Sequence, residues 1–495
     1  MTASAASRGL LAILLLALFA SSANARPREE PYSWSHPASV SNAPVTRVTL
    51  NPVDQKRLLA EDASEHERAR SAAGKRLRVA VDNDISLVPG REGRWEALAD
   101  GGRLWRVILH AEGATDLRLG FGRFKVPAGV TLHLINEATH TFAGPFSASD
   151  VSPEGQLWLA PFAGDTITLE LHVSAGVALD ADAIALIRVG TGYRNTTEAG
   201  GPGIFGGGTS GTCNIDVICP LGNPYRLEIK AVAKYYFDES GATYLCTGTL
   251  MNDAAQDFKP YFLTADHCVN TQAAATSMSL IWNYESPTCG AHGGGSTADT
   301  QNGGALLVAH RADVDFSLVK LNSAPASAFD VIYAGWVASN DVPHGSIGLH
   351  HPSGWVKAIT QNTHTLTTID NCIGTGGGST NTHWQTGPYA MGTTEGGSSG
   401  SAILIPAGDP SGYGNRVVGT LSGGGAACSG SVPNNQPDCY GKLSVAFDGP
   451  IPSQRLRDWL APTTDIIFRN GFDPLAVIDL ATATGAPSAT RPRGD

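Results

Sequence analysis

The sequence predicts an all-β protein in two β-rich regions joined by a glycine-rich connector. The first observation is alternation: Ile167, Leu169, Leu171 and Val173 alternate with Thr166, Thr168, Glu170 and His172, the period-two pattern of a strand with one buried face. The second is punctuation. Pro127-Ala128-Gly129 and Ala163-Gly164-Asp165 break such runs at short intervals, as turns between antiparallel strands do. The third is the placement of cysteine, because all eight (Cys213, Cys219, Cys246, Cys268, Cys289, Cys372, Cys428 and Cys439) lie beyond residue 200. One region is cysteine-free and the other is suited to disulfides. A chain of 495 residues is long enough for two or three domains.

In chain order, Arg8 precedes an apolar run from Leu10 to Ala20, and Ala23-Asn24-Ala25 has the small-x-small pattern of an export cleavage site. Residues 1–25 therefore read as a signal peptide, and the product is expected to be secreted. No later segment reaches the roughly 20 apolar residues that a membrane span requires. Residues 26 to about 75 are polar and charged, with a short helix expected around Pro52 to Ala73, anchored by Leu58 and Leu59. Strands begin after Arg76: Leu77, Val79 and Val81 alternate with other residues, as do Leu117, Leu119 and Phe121. Residues 26–198 are thus expected to end in a β-sandwich-like domain. His110, His133, His140 and His172 are scattered through it; alternation puts His172 on the solvent face, and no metal site is expected. Residues 199–211 are the connector, a natural place for proteolysis. The net charge of −11 and pI near 5.7 provide no basic field for nucleic acid.

The second region carries the chemistry. Strand candidates at Ile229 to Tyr236 and Tyr244 to Leu250 precede Phe262-Leu263-Thr264-Ala265-Asp266-His267-Cys268, where an apolar strand delivers a histidine beside a cysteine that can lock it. Val314-Asp315-Phe316 then places an acid immediately before an alternating strand, so that Asp315 can be buried against the imidazole of His267. Gly396-Gly397-Ser398-Ser399-Gly400-Ser401 precedes the apolar Ala402-Ile403-Leu404-Ile405, as befits a nucleophile, Ser399, on a tight turn before a buried strand. There the N–H groups of Gly397 and Ser399 can converge as an oxyanion hole.

A histidine, an aspartate and a serine in this order resemble the trypsin-like serine peptidases, and more closely the bacterial lysyl endopeptidases. The resemblance spans about residues 209 to 465. It rests on Ser210-Gly211-Thr212-Cys213-Asn214-Ile215-Asp216-Val217, Tyr261-Phe262-Leu263-Thr264-Ala265-Asp266-His267-Cys268, Trp282-Asn283-Tyr284, Asp315-Phe316, His350-His351-Pro352 and Thr394-Glu395-Gly396-Gly397-Ser398-Ser399-Gly400-Ser401. It implies a trypsin-like double β-barrel peptidase domain over 212–465 with a short C-terminal helix at Pro452 to Leu460. The preceding β-sandwich-like domain would be a propeptide, and residues 466–495 a C-terminal tail. It also implies acyl transfer by His267, Asp315 and Ser399, acting on protein or peptide substrates as a monomer, with no cofactor, metal, nucleic acid or membrane.

The same resemblance places a specificity carboxylate at Asp438, which favours cleavage after Lys. It pairs Cys213 with Cys428, Cys219 with Cys289 and Cys246 with Cys268, which leaves Cys372 for Cys439, beside Asp438. Three departures stand out. Ser398 occupies the place of the aspartate that binds the new N-terminus in many trypsins, Ser422 stands where the family has a histidine, and Cys372 lies near the expected tryptophan. No lysine lies shortly before Cys213, and the nearest upstream basic residue is Arg194. Arg or broad specificity, or an inactive peptidase-like binding protein, are the alternative readings.

Overall fold

The computed structural model describes residues 29–68, 76–196, 211–370, 372, 380–462 and 467–468. The expected signal peptide, all of the connector except Gly211, and the tail beyond residue 468 lie outside the described residues. Strands dominate, but the chain is not strictly all-β. Gln55–Arg68 is a 14-residue helix, and short helices occur at Gln272–Thr276, Leu443–Phe447 and Arg457–Leu460.

The N-terminal half is two packed sheets. In one, Thr166–Val173 lies between Arg103–His110 and Val130–Asn136, with Leu169 opposite both Val107 and Leu134. In the other, Ile184–Gly192 lies between Leu77–Leu87 and Asp116–Phe124. Val107, Leu109, Leu134 and Leu169 meet Leu117, Leu119, Leu186 and Val189 in a single core. The outer face of the first sheet departs from expectation: Glu170 is buried and His172 is half-buried instead of solvent-facing. The reason is local. Helix Tyr32–Ser35 lies over this face, the Ser33 N–H donates to Glu170 Oε1 at 3.1 Å, and the Tyr32 ring stacks on His172 at 4.6 Å. Burial raises the Glu170 carboxyl and lowers the His133 and His172 imidazoles.

Residues 211–462 form two curled sheets. The first is led by a hairpin of Val232–Glu239 and Ala242–Met251, turned at Ser240 and Gly241, both at positive φ as a two-residue hairpin turn requires. These strands start and end a few residues from the expected bounds because Ile229 closes a helical turn, Arg226–Ile229. Tyr235, Phe237, Leu250, Phe262, Leu280, Trp282 and Val319 line the inside of the curl. The second sheet runs through Ser346–His350, Ala402–Leu404, Val417–Gly424 and Asp438–Lys442, around Trp384, Ile403, Leu421 and Tyr440. The expected C-terminal helix is two short turns, Pro452–Gln454 and Arg457–Leu460, and it does not pack on the second sheet only. Instead, Leu456 and Leu460 enter a core shared by both sheets, with Val314 and Leu318 from one and Leu404 from the other.

The two halves of the chain share a sheet. Strand Leu77–Leu87 pairs antiparallel with Ala242–Met251, Val81 opposite Ala242 and Leu77 opposite Leu245. Beneath this seam the Arg118 guanidinium pairs with Asp238 and donates to the Ser277 carbonyl. Lys234, wholly buried, donates to the carbonyls of Thr196 at 2.5 Å and Gly354 at 2.9 Å and lies 3.3 Å from the centre of the Tyr284 ring. A buried cation without such partners would be strongly unfavourable.

Asp82 responds to pH at this seam. It faces Asp238 and Thr243 from one half and Arg118 and Arg188 from the other, and burial, then the Asp238 charge, pushes its carboxyl up to about 7. Separation of the halves would return it to an ordinary value near about 4. Its contribution to docking is therefore fully present below that value and is lost as pH rises through about 7. Thermal melts of the full chain are expected to show Tm falling between about pH 4 and 7, with a shallower fall in Asp82→Asn; an unchanged slope in that variant would refute the assignment.

Candidate active site

Strand Tyr261–Thr264 ends at Thr264, which pairs with Ser317 at the start of strand Phe316–Leu321. The pairing brings the residues just beyond each end together: His267 after one and Asp315 before the other. Asp315 takes a left-handed conformation, φ 55°, and turns its carboxylate back towards the histidine. The His267 N–H donates to Asp315 Oδ1 at 2.9 Å, while His267 Nδ1 lies 3.0 Å from Oδ1 and 2.8 Å from Oδ2. The Cys246–Cys268 disulfide, with Cα atoms 6.6 Å apart, anchors the residue after the histidine. His267 Nε2 lies 2.7 Å from Ser399 Oγ. Neighbouring Asp266 engages His310 Nδ1 at 2.7 Å instead, and burial raises its carboxyl.

Ser399 comes from the other sheet. The Ser398 N–H donates to the Glu395 carbonyl at 3.0 Å, and Ser398 Oγ takes the Glu395 N–H at 3.1 Å and meets His350 Nδ1 at 2.8 Å. Gly397 and Gly400 have φ of 90° and 80°, and a Cβ on Gly400 would lie 2.1 Å from Thr264 Oγ1. Glycine is thus required there by space as well as by conformation. Among the described residues none accepts from the N–H of Gly397 or Ser399. Glu395 holds the start of this half of the chain: its carboxylate accepts from the Gly211 N–H at 3.0 Å, Asn214 Nδ2 at 3.3 Å and Ser353 Oγ at 3.1 Å.

Asp438 opens strand Asp438–Lys442 and is buried. It lies opposite Gly424, where a Cβ would fall 2.4 Å from Asp438 Oδ1. The Thr394 hydroxyl, the Tyr389 hydroxyl at 3.2 Å and the Ala426 N–H at 3.3 Å all donate to its carboxylate. Burial raises the Tyr389 hydroxyl, which remains a neutral donor. Cys213–Cys428, Cys219–Cys289 and Cys372–Cys439 are bridged as well, the last beside Asp438.

Sequence reasoning did not single out Thr394 or Tyr389 as partners of Asp438, nor His383. The imidazole of His383 sits where Ser422 replaces the expected histidine, its Nε2 3.1 Å from Ser422 Oγ and its Nδ1 2.7 Å from Thr382 Oγ1. Burial lowers it to about 4, so it is neutral at physiological pH. No motif surrounds His383; only the register that sets it opposite Gly441 reveals it. Among the described residues no cluster of three or more metal-ligating side chains occurs.

Family models match over most of the chain: "Lysyl endopeptidase N-terminal domain" at residues 49–190 and "Lysyl endopeptidase, C-terminal domain" at residues 207–441. The lysyl endopeptidase of Pseudomonas aeruginosa is 31% identical over 343 residues, covering 64% of this chain and 68% of that protein. Among solved structures, the thermostable serine protease AL20 gives a TM-score of 0.30 at 15% identity, covering 44% of this chain and 92% of its own. Protease Anisep from Arthrobacter nicotinovorans gives 0.29 at 16%, covering 44% and 91%. The sequence matches define a hydrolase of the serine endopeptidase class, with the curled sheets of a trypsin-like fold. The chain belongs to the lysyl endopeptidase family.

Glu395 ties the chain at Gly211 to the nucleophile turn through hydrogen bonds to a charged group, which contribute about 1.5–3 kcal/mol each. Glu395→Ala is expected to lower Tm by several degrees and slow labelling of Ser399 by a fluorophosphonate, with Glu395→Gln intermediate. Equal labelling rates in all three proteins would remove this role.

Proposed function

We propose that the protein is a secreted serine endopeptidase that hydrolyses peptide bonds on the carboxyl side of Lys. The observation that carries the reading is the unbroken relay from Asp315 Oδ2 to His267 Nδ1, 2.8 Å, and from His267 Nε2 to Ser399 Oγ, 2.7 Å. Ser399 attacks the scissile carbonyl while His267 takes its proton and then delivers it to the leaving amine. Asp315 fixes the imidazole tautomer and stabilises the imidazolium. The N–H groups of Gly397 and Ser399 are the oxyanion donors, each contributing about 3–4 kcal/mol in comparable sites. Water then hydrolyses the acyl-enzyme.

Lys preference is supported by the family and by the buried carboxylate of Asp438, aligned by the Thr394 and Tyr389 hydroxyls. A carboxylate fixed in advance by neutral donors favours a substrate ammonium over an uncharged side chain. The domain plan follows the sequence reading: signal peptide 1–25, propeptide 26–198, connector 199–211, peptidase domain 212–465 and tail 466–495. Latency of the uncut chain is supported by Ser399, none of whose surface is exposed.

Fluorophosphonate labelling of the wild type but not of Ser399→Ala, together with a map of cleavage sites in a protein of known sequence, tests the proposal. Cleavage after Lys is expected once the N-terminal half has been removed, and a processed protein that stays unreactive would favour the inactive-homologue reading. Asp438→Asn is expected to lower kcat/KM for lysyl substrates by about 10²–10³, the loss of a buried charge pair. Retention of the Lys preference in that variant would exclude Asp438 as the specificity residue.

A further inference from the structure

The sheet edge that carries the N-terminal half leads towards the nucleophile. Leu77 lies opposite Leu245 and Arg78 opposite Tyr244, antiparallel along Ala242–Met251. Two residues past Leu245, the Thr247 N–H holds the Ser399 carbonyl at 2.8 Å. Further along the same strand, Thr249 pairs with Leu263 of the strand that delivers His267. A strand laid antiparallel on Ala242 to Leu245 therefore has its amino end towards Ser399 and its carboxyl end leading away. That is the direction taken by the leaving-group half of a substrate added to a sheet edge.

The end of this edge nearest the nucleophile carries a corner suited to a cation. Glu239 closes one strand of the hairpin, and Tyr244 lies on the other, its ring stacked on Phe237 at 5.8 Å. Arg76 of the N-terminal half fills the corner: its guanidinium pairs with Glu239, sits 4.4 Å from the centre of the Tyr244 ring and donates to the His267 carbonyl at 3.2 Å. A carboxylate, an aromatic face and a carbonyl oxygen each favour a cation, and none favours an anion. Among the described residues no other cation pairs with Glu239. Arg78, by contrast, turns back to Asp62 and Tyr193 of its own half. Continuing the register by one residue brings Arg76 level with Cys246, which is bridged to Cys268, the residue after His267.

We propose that Glu239, Tyr244 and the His267 carbonyl form a binding site for a basic side chain in the leaving-group half of the substrate, which Arg76 occupies until the N-terminal half departs. The proposal rests on the peptidase reading above. It adds a second point of selection, because Asp438 is proposed to select the residue on the other side of the scissile bond. All three groups belong to the peptidase half, so the site outlasts the loss of its occupant. A guanidinium is favoured over an ammonium, since a flat cation stacks on Tyr244 while donating to the carboxylate and the carbonyl together.

The full chain is to be expressed and processed, and the peptidase assayed after its N-terminal half has been removed. The substrates are peptides with one lysine, followed at the first, second or third place by Arg, Gln or Glu. At one of these places kcat/KM is expected to be about five to ten times higher for Arg than for Gln, the gain from a partly exposed ion pair and a cation over an aromatic ring. The gain is expected to vanish in Glu239→Gln, and Glu239→Lys is expected to cleave the Glu peptide faster than the Arg peptide. That reversal cannot arise from a damaged fold. A wild type that cleaves after Lys at equal rates with Arg or Gln following, or an Arg gain that survives in Glu239→Lys, overturns this inference and leaves the peptidase reading standing. A processed wild type that cleaves none of the peptides overturns both.

Discussion

Two curled sheets that share a core must also meet closely enough at its edge for a histidine on one to reach a serine on the other, and Thr247 is where they are tied. Its N–H holds the Ser399 carbonyl at 2.8 Å, its hydroxyl donates to the Gly397 carbonyl at 2.8 Å, and that hydroxyl accepts the His351 N–H at 3.1 Å. One threonine on the first sheet thus positions the nucleophile turn of the second. The absence of a side chain at Gly400 permits this approach. The 2.7 Å contact between His267 and Ser399 depends on the tie, because the Thr247 bonds fix the main chain on either side of Ser398.

Around this junction polar groups replace the devices of the better-known trypsins. Glu395 secures the chain at Gly211 through a main-chain N–H instead of a newly freed ammonium, and Ser398, bound by His350, stabilises the turn where an aspartate is more usual. His383 comes from a distant strand to fill the space beside Ser422. The relay is assembled in a chain whose N-terminal half is still attached.

The N-terminal half is more than an appendage on a linker. It continues the first sheet through Leu77–Leu87, Ile184–Gly192 and Asp116–Phe124, supplies Arg118 to Asp238 and offers the Thr196 carbonyl to Lys234. These groups are buried at the seam, where an unpartnered charge would be costly. The seam therefore couples the stability of the peptidase half to that of its neighbour.

The local motifs were legible in the sequence because their chemistry is confined to a few adjacent residues. Thr264-Ala265-Asp266-His267-Cys268 marks the end of a strand, Asp315 the start of another, and Gly396 to Ser401 a turn that only glycines permit. The alternation of Thr166 to Val173 likewise gave the strand and its core face. It misassigned the other face, because the cover over His172 comes from Tyr32, far away in sequence. The sequence by itself determined which residue types carry the chemistry and where strands and turns fall, since propensity and periodicity act over a handful of neighbours. Only the tertiary structure decided that Thr394 and Tyr389 align Asp438, that His383 backs Ser422, and that Arg76 lies against His267. Such contacts are set by strand register and sheet curvature, which join residues tens to hundreds of positions apart and leave no local trace.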